Sequence, residues 1–226
     1  MARPRQGYKM QDGRRVPGVT TILSHMDGDP GGLMHWAWNL GMEGKDYRVE
    51  RDKAAGIGTI AHELIDANML GKPEPELTAE HFGVDEENWP AMMSKARKAF
   101  GAYREWRSSI ALEVVATELP LVSEWWQFGG TFDMLARLNG KLVIVDWKSS
   151  KSLYPRAIAQ CAAYTLLVYE KLGMWCSGGA HLLRVGKEHG DFHHHYWDDD
   201  ILDVARNAFF AWQVVYDSNK VLKAVL

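Results

Sequence analysis

Asp133, Asp146 and Lys148 lie on the two arms of one predicted hairpin, and they are the residues best placed to do chemistry together. The turn between the arms is Asn139-Gly140, the dipeptide preferred where a two-residue loop needs positive φ at both positions. Such a loop pairs Leu138 with Lys141, Leu135 with Ile144 and Asp133 with Asp146. Cross-strand partners place their Cβ atoms about 4.5–5.5 Å apart, so two carboxylates are expected to face each other. The rest of both arms is mostly apolar on both faces, as in interior strands. Opposed acids there repel, and one tends to stay protonated unless a cation lies between them. Oxygen donors of this kind suit Mg2+ or Mn2+. Lys148 is two residues beyond Asp146 and therefore on the same strand face. An ammonium beside a metal–carboxylate site can position a water and offset charge on a phosphate, so Asp-x-Lys is a compact device for metal-assisted phosphodiester hydrolysis.

Further polar residues sit where they could join this pair. His62 follows Gly58 by one helical turn, and that glycine leaves room for a close approach. Glu118 interrupts an apolar strand pattern just before the hairpin, where it could be a further metal or water ligand. Gln160 and Tyr164 are four apart, hence on one face of the following helix. Taken singly, each has an ordinary structural reading: a helix-surface histidine, a strand-end acid, a polar edge on an apolar helix. His193-His194-His195 does not read as a metal site, because consecutive strand residues alternate faces. Cys161 reads as a small buried hydrophobe.

The elements that must carry these residues follow from periodicity. The first 30 residues, rich in Gly, Pro, Asp and Arg, form an irregular arm around the apolar stretch Val19 to Leu23. Helices are expected from Leu33 to Met42, Asp52 to Leu70, Trp89 to Ser108 and Arg156 to Leu172. Strands are expected from Leu112 to Leu121, Phe128 to Leu138, Lys141 to Trp147, Gly178 to Val185 and Phe192 to Trp197. A last helix starts after Asp198-Asp199-Asp200 and ends near Tyr216. This order describes an α/β sandwich with helices on both faces of the sheet.

The chain has 226 residues, 46% hydrophobic and 24% charged, which excludes a disordered chain and fits one domain with its own core. A formal net charge of −3 argues against a broad DNA-coating surface and leaves only local nucleic-acid contacts. Two cysteines, Cys161 and Cys176, are too few for a disulfide framework, a four-cysteine zinc site or a four-cysteine iron–sulfur cluster, and a cytoplasmic setting is expected. No signal peptide and no membrane span are read, since the most apolar run is shorter than a bilayer requires.

In their order along the chain, these residues resemble the RecB-like branch of the PD-(D/E)xK nuclease superfamily. The matching elements are Gly58-x-x-x-His62, Glu118, Gly130-x-x-Asp133, Asp146-Trp147-Lys148-Ser149 and Gln160-x-x-x-Tyr164, which together cover the central half of the chain. The N-terminal Val16-Pro17-Gly18-Val19-Thr20-Thr21-Ile22-Leu23 and the helix bearing Trp36 resemble phage-encoded and mitochondrial genome-maintenance members. The resemblance implies a restriction-endonuclease-like αβββαβ core with a central mixed sheet and an N-terminal helical extension. Residues 1–50 would be the arm and helix, and 51–226 the nuclease core.

The resemblance also assigns roles. His62, Asp133, Asp146 and the Trp147 carbonyl would ligate Mg2+ or Mn2+, and Glu118 would assist. Lys148 would activate the water, while Gln160 and Tyr164 would shape the site or touch DNA. Two features depart from other members. Phe132, not proline, precedes Asp133, and the cysteines that hold an iron–sulfur cluster in some relatives are missing.

The expected activity is a metal-dependent DNA exonuclease on single-stranded or end-opened DNA in replication, recombination or repair, working beside other recombination or replication proteins. A structure-specific endonuclease and a non-catalytic DNA-binding recombination module are the alternatives. DNA contacts are expected at Lys151, Tyr154 and Arg156, and at Arg48, Arg51 and Lys53 before the His62 helix. Trp36 or Trp38 could stack on bases, core packing being the plainer reading of both.

Overall fold

A computed structural model describes residues 7–24, 26, 31–148, 153–185 and 192–226. A small hairpin, β1 (Tyr8–Lys9) and β2 (Arg15–Val16), is followed by α1 (Val19–Leu23), α2 (Gly31–Met42), α3 (Tyr47–Met69), α4 (Ala79–Phe82) and α5 (Trp89–Ser108). The main sheet then begins with β3 (Leu112–Val122), β4 (Gly129–Leu138) and β5 (Lys141–Lys148). After α6 (Pro155–Leu172) come β6 (Ala180–Val185), β7 (Phe192–Trp197) and α7 (Asp199–Ala224). The five strands lie in the order β3-β4-β5-β6-β7, antiparallel except for the parallel β5–β6 pair that α6 bridges.

The central hairpin has the expected turn, with φ of 51° at Asn139 and 79° at Gly140. Its ladder pairs Leu138 with Lys141 and Leu135 with Ile144, as a two-residue loop requires. Both strands are interior, and each faces two separate cores. Leu135, Leu142 and Ile144 pack with α1, α6 and α7, whereas Met134, Ala136, Val143 and Val145 pack with Ile65 of α3 and Tyr103 and Trp106 of α5. The architecture is therefore an α/β sandwich of helices, a mixed sheet and helices.

Local signals explain how the helices around the sheet are bounded. Asp46 caps α3 by accepting from the Arg48 N–H, so this helix starts before the expected Asp52. Pro155 opens α6, and Gly173 ends it in the left-handed conformation. The helix buries ten residues, mostly small or apolar, from Ala157 to Val168. It approaches β4 closely because Gly130 has no side chain: a Cβ there would meet Tyr164 Cε1 at 2.7 Å.

Other boundaries also differ from the sequence expectation. Within the N-terminal arm, the described residues 7–24 form β1, β2 and α1, and their backbone docks on β4. Gly129 N–H donates to the Pro17 carbonyl at 2.9 Å, and the Tyr8 ring occupies the space above Gly129. Strand β6 starts at Ala180 because Gly179 turns the chain with φ of 75°. Helix α7 continues past Tyr216 to Ala224. Among the described residues, no helix is long and apolar enough to cross a membrane.

Gly179 also supplies a direct test of this packing. A Cβ there would lie 2.2 Å from the Trp197 carbonyl oxygen, on a backbone that L side chains rarely adopt. Gly179→Ala is expected to destabilise the fold by about 2 kcal/mol or more in urea denaturation, well above an ordinary surface substitution.

Candidate active site

The β4–β5 ladder ends at Met134 paired with Val145, one residue short of the two aspartates. The expected facing pair of Asp133 and Asp146 is therefore not a ladder pair. Instead the Trp147 N–H donates to Asp133 Oδ2 at 3.0 Å, so a side-chain carboxylate takes the place that a backbone carbonyl fills elsewhere in the sheet. The strands part here, and the separation gives the acids room to converge.

Asp146 lies on the α6 side of the sheet and has no exposed surface. Lys148 Nζ is 2.6 Å from its Oδ2, as strand alternation requires. The ammonium is the partner of this otherwise unsatisfied, buried oxygen, and the contact favours the charged form of both groups. Gln160 Nε2 donates to the Tyr164 hydroxyl at 2.8 Å and lies 3.4 Å from Asp146 Oδ1. Lys148, Gln160 and Tyr164 thus form one wall around a single buried acid.

The opposite wall comes from α3 and β3. The His62 ring approaches Trp147 edge-on, with centroids 6.5 Å apart. The pairs Thr117 with Met134 and Leu119 with Phe132 bring Glu118 alongside Asp133. Glu118 has φ of 49°, a left-handed conformation that costs an L residue about 1–2 kcal/mol and that commonly marks a functional constraint. One ligand atom each from His62, Glu118 and Asp133 lies within 4.8 Å of the others, and this is the one such trio among the described residues.

The electrostatics follow from packing several acids against one amine. Burial raises the Glu118 carboxyl to about 7, with Asp133 and then Asp66 adding repulsion. Burial raises Asp146 to about 7 as well; Asp133 adds to this, while Lys148 and His62 oppose it. Asp133 is also raised by burial, against the pull of Lys148 and the Trp147 N–H. Burial alone would lower Lys148, but Asp146 and Asp133 outweigh it and hold the ammonium above its ordinary range. In this arrangement Lys148 is a positioned cation, not a free base.

Excess carboxylate oxygens and one imidazole together fit a divalent cation, which would remove the repulsion that protons relieve otherwise. Asp66 is the acid that sequence reasoning missed. It lies one helical turn past His62, with Oδ1 buried and unpartnered, and burial raises it to about 6. Its spacing of four from His62 was the available signal.

The outlying candidates are placed as follows. Tyr154 is exposed, with the Arg156 guanidinium 5.6 Å from its ring centroid, while Lys151 and Ser149 lie outside the described residues. Trp36 is half-buried on α2, edge-on to Tyr47, and Trp38 is exposed against His35. Arg48, Arg51 and Lys53 each pair with a neighbouring acid. The three histidines of β7 split as expected: His194 meets His181 at 2.8 Å, while His193 and His195 stack with each other. Cys161 is fully buried, and burial pushes its thiol well up.

A family model described as the PD-(D/E)XK nuclease superfamily matches residues 8–215. No curated protein sequence matches the chain significantly. Among solved structures, a Eubacterium rectale protein described as a "Putative exonuclease" is similar with a TM-score of 0.42 and 15% identity, over 70% of this chain and 63% of that one. The chain thus spans less than two thirds of that protein's length. A protein named SSO0001 is similar with a TM-score of 0.29 and 13% identity, over 67% of this chain and 71% of the other.

The raised acids make stability depend on pH in a definite direction. A carboxyl whose folded pKa is raised favours the fold most at acidic pH. For Glu118 that contribution is lost as pH climbs from about 4.5 to about 7. With chelator present, thermal melting of the wild type should therefore fall across this window. Glu118→Gln should fall less and melt higher than the wild type at pH 8. Adding Mn2+ at pH 8 should raise the wild type more than the variant.

Proposed function

Because the chain belongs to the PD-(D/E)XK nuclease superfamily, whose members use divalent metals, we propose that it is a Mg2+- or Mn2+-dependent DNA exonuclease of the RecB-like branch. Its proposed substrate is single-stranded or end-opened DNA, in replication, recombination or repair. The observation that carries this reading is the convergence of His62, Glu118 and Asp133 to within 4.8 Å beside the buried Asp146–Lys148 pair. The two buried, unpaired cysteines accord with a reducing, cytoplasmic setting.

His62, Asp133 and Asp146, with the Trp147 carbonyl and Glu118, would hold the cation. When bound, such a cation polarises a phosphoryl oxygen and lowers the pKa of a coordinated water. Asp133 Oδ2 accepts from the Trp147 N–H, which fixes the direction of its carboxylate. Lys148 keeps its proton beside Asp146 and offers positive charge to a phosphate and to the oxyanion that develops there. Gln160 and Tyr164 brace Asp146 from α6 and exclude water from its far side.

End-labelled linear single-stranded DNA should be degraded with Mg2+ or Mn2+ and left intact with chelator. Circular single-stranded DNA should remain uncut, whereas an endonuclease would open it. A non-catalytic binding module would retain DNA with chelator present and cleave neither substrate. Asp146→Ala and Lys148→Ala should remain folded and lose at least about 100-fold in rate, the scale of removing one preorganised electrostatic group. Wild-type rates in either variant would defeat the assignment.

A further inference from the structure

Beside the acids, a cavity of about 290 Å³ opens between α1 and the start of α6. It is lined by Thr20, Leu23 and Ser24 on one side and by Lys148, Leu153, Tyr154, Arg156, Ala157 and Gln160 on the other. Two of these residues, Lys148 and Gln160, also contact Asp146, so the cavity is continuous with the candidate active site. We infer that this cavity receives one unpaired nucleoside of the DNA strand, the one attached to the phosphate beside Lys148. The inference rests on the nuclease reading and narrows its substrate to a strand end with its terminal base unpaired.

Three features select that occupant. The walls supply aliphatic surface from Leu23, Leu153 and Ala157 for the flat faces of a base. They add the hydroxyls of Thr20 and Ser24 for its polar edge; the Ser24 hydroxyl donates to the Thr21 carbonyl and retains acceptor capacity. The size is just below the roughly 300–1,000 Å³ of pockets that enclose a drug-sized molecule, enough for one nucleoside and too little for a base pair. At the rim, the half-exposed Tyr154 ring and the Arg156 guanidinium over it offer the stacking and positive charge that single-strand binders use.

The α1 wall of the cavity resists widening. It is anchored by Val19, Ile22 and Leu23, at 1%, 0% and 3% exposure, which pack into the same core as α6 and α7. Retreat of that wall would open the core. A paired terminus must therefore separate before its last nucleoside can enter, as when enzymes extract a base into an enclosing pocket.

The test measures binding without cleavage. With Mg2+ present, equilibrium dialysis compares deoxyadenosine 5′-monophosphate with deoxyribose 5-phosphate, which keeps the phosphate and lacks the base. The wild type should prefer the nucleotide by about 5- to 100-fold, the contribution of stacking one base. Ser24→Trp, which fills the cavity from an exposed position, should abolish that preference, and Tyr154→Ala should reduce it several-fold. Both variants should bind Mn2+ as the wild type does. Equal binding of the two probes by the wild type, or an undiminished preference in both variants, would overturn the inference. A protein that shows the base preference but cleaves no DNA with either cation would keep the cavity's assignment and lose the nuclease reading. Active protein should also digest a duplex with one unpaired terminal nucleotide at least about 5-fold faster than a fully paired one; equal rates would likewise overturn the inference.

Discussion

The structure turns on one electrostatic constraint. Several carboxylates converge where β4 and β5 separate, and a single ammonium, Lys148, is set against them. Burial alone would drive each acid to protonate, and their mutual repulsion reinforces it. A fold that keeps such a cluster in its interior carries a repulsion that protons relieve and that a doubly charged partner would relieve in their place. The surrounding elements then have a common physical role, since α3, β3 and α6 each contribute one side of a cage around those charges.

How the acids are held shows why strand pairing alone would not build the site. Continued pairing would have locked both aspartates into opposite ladder positions, with every backbone group satisfied by another backbone group. The ladder stops instead, and Asp133 accepts the Trp147 N–H that the sheet no longer uses. Glu118 departs from strand geometry beside the aspartates, with a left-handed backbone and a carboxylate oxygen within 4.8 Å of Asp133 and His62.

Much of this was legible from residue types. The Asn139-Gly140 turn determined the register of the hairpin, and alternation placed Lys148 with Asp146. Helix α5 and strand β7 have their expected bounds because apolar periodicity there is unambiguous. The ladder's early end was not legible, because it depends on side chains from other elements competing for a backbone N–H. Asp66 was overlooked because an acid on a helix is ordinarily solvated, and only tertiary packing buries its Oδ1. The docking of residues 7–24 was hidden for a similar reason: their glycines and proline signal turns, while the docking depends on Gly129, far away in sequence.

The contact between Tyr8 and Gly129 has a consequence for biosynthesis. The first strand leaves the ribosome long before β4 exists to receive it, and the Tyr8 hydroxyl meets Thr131 only once the middle of the chain has been made. Contacts between such distant segments form late, because closing a long loop costs entropy before it is rewarded. The wall that α1 gives to the cavity is therefore among the last parts in place. Gly129 and Thr131 precede Asp133, Asp146 and Lys148 in the chain, so the cavity wall and the acids are completed from the same middle segment.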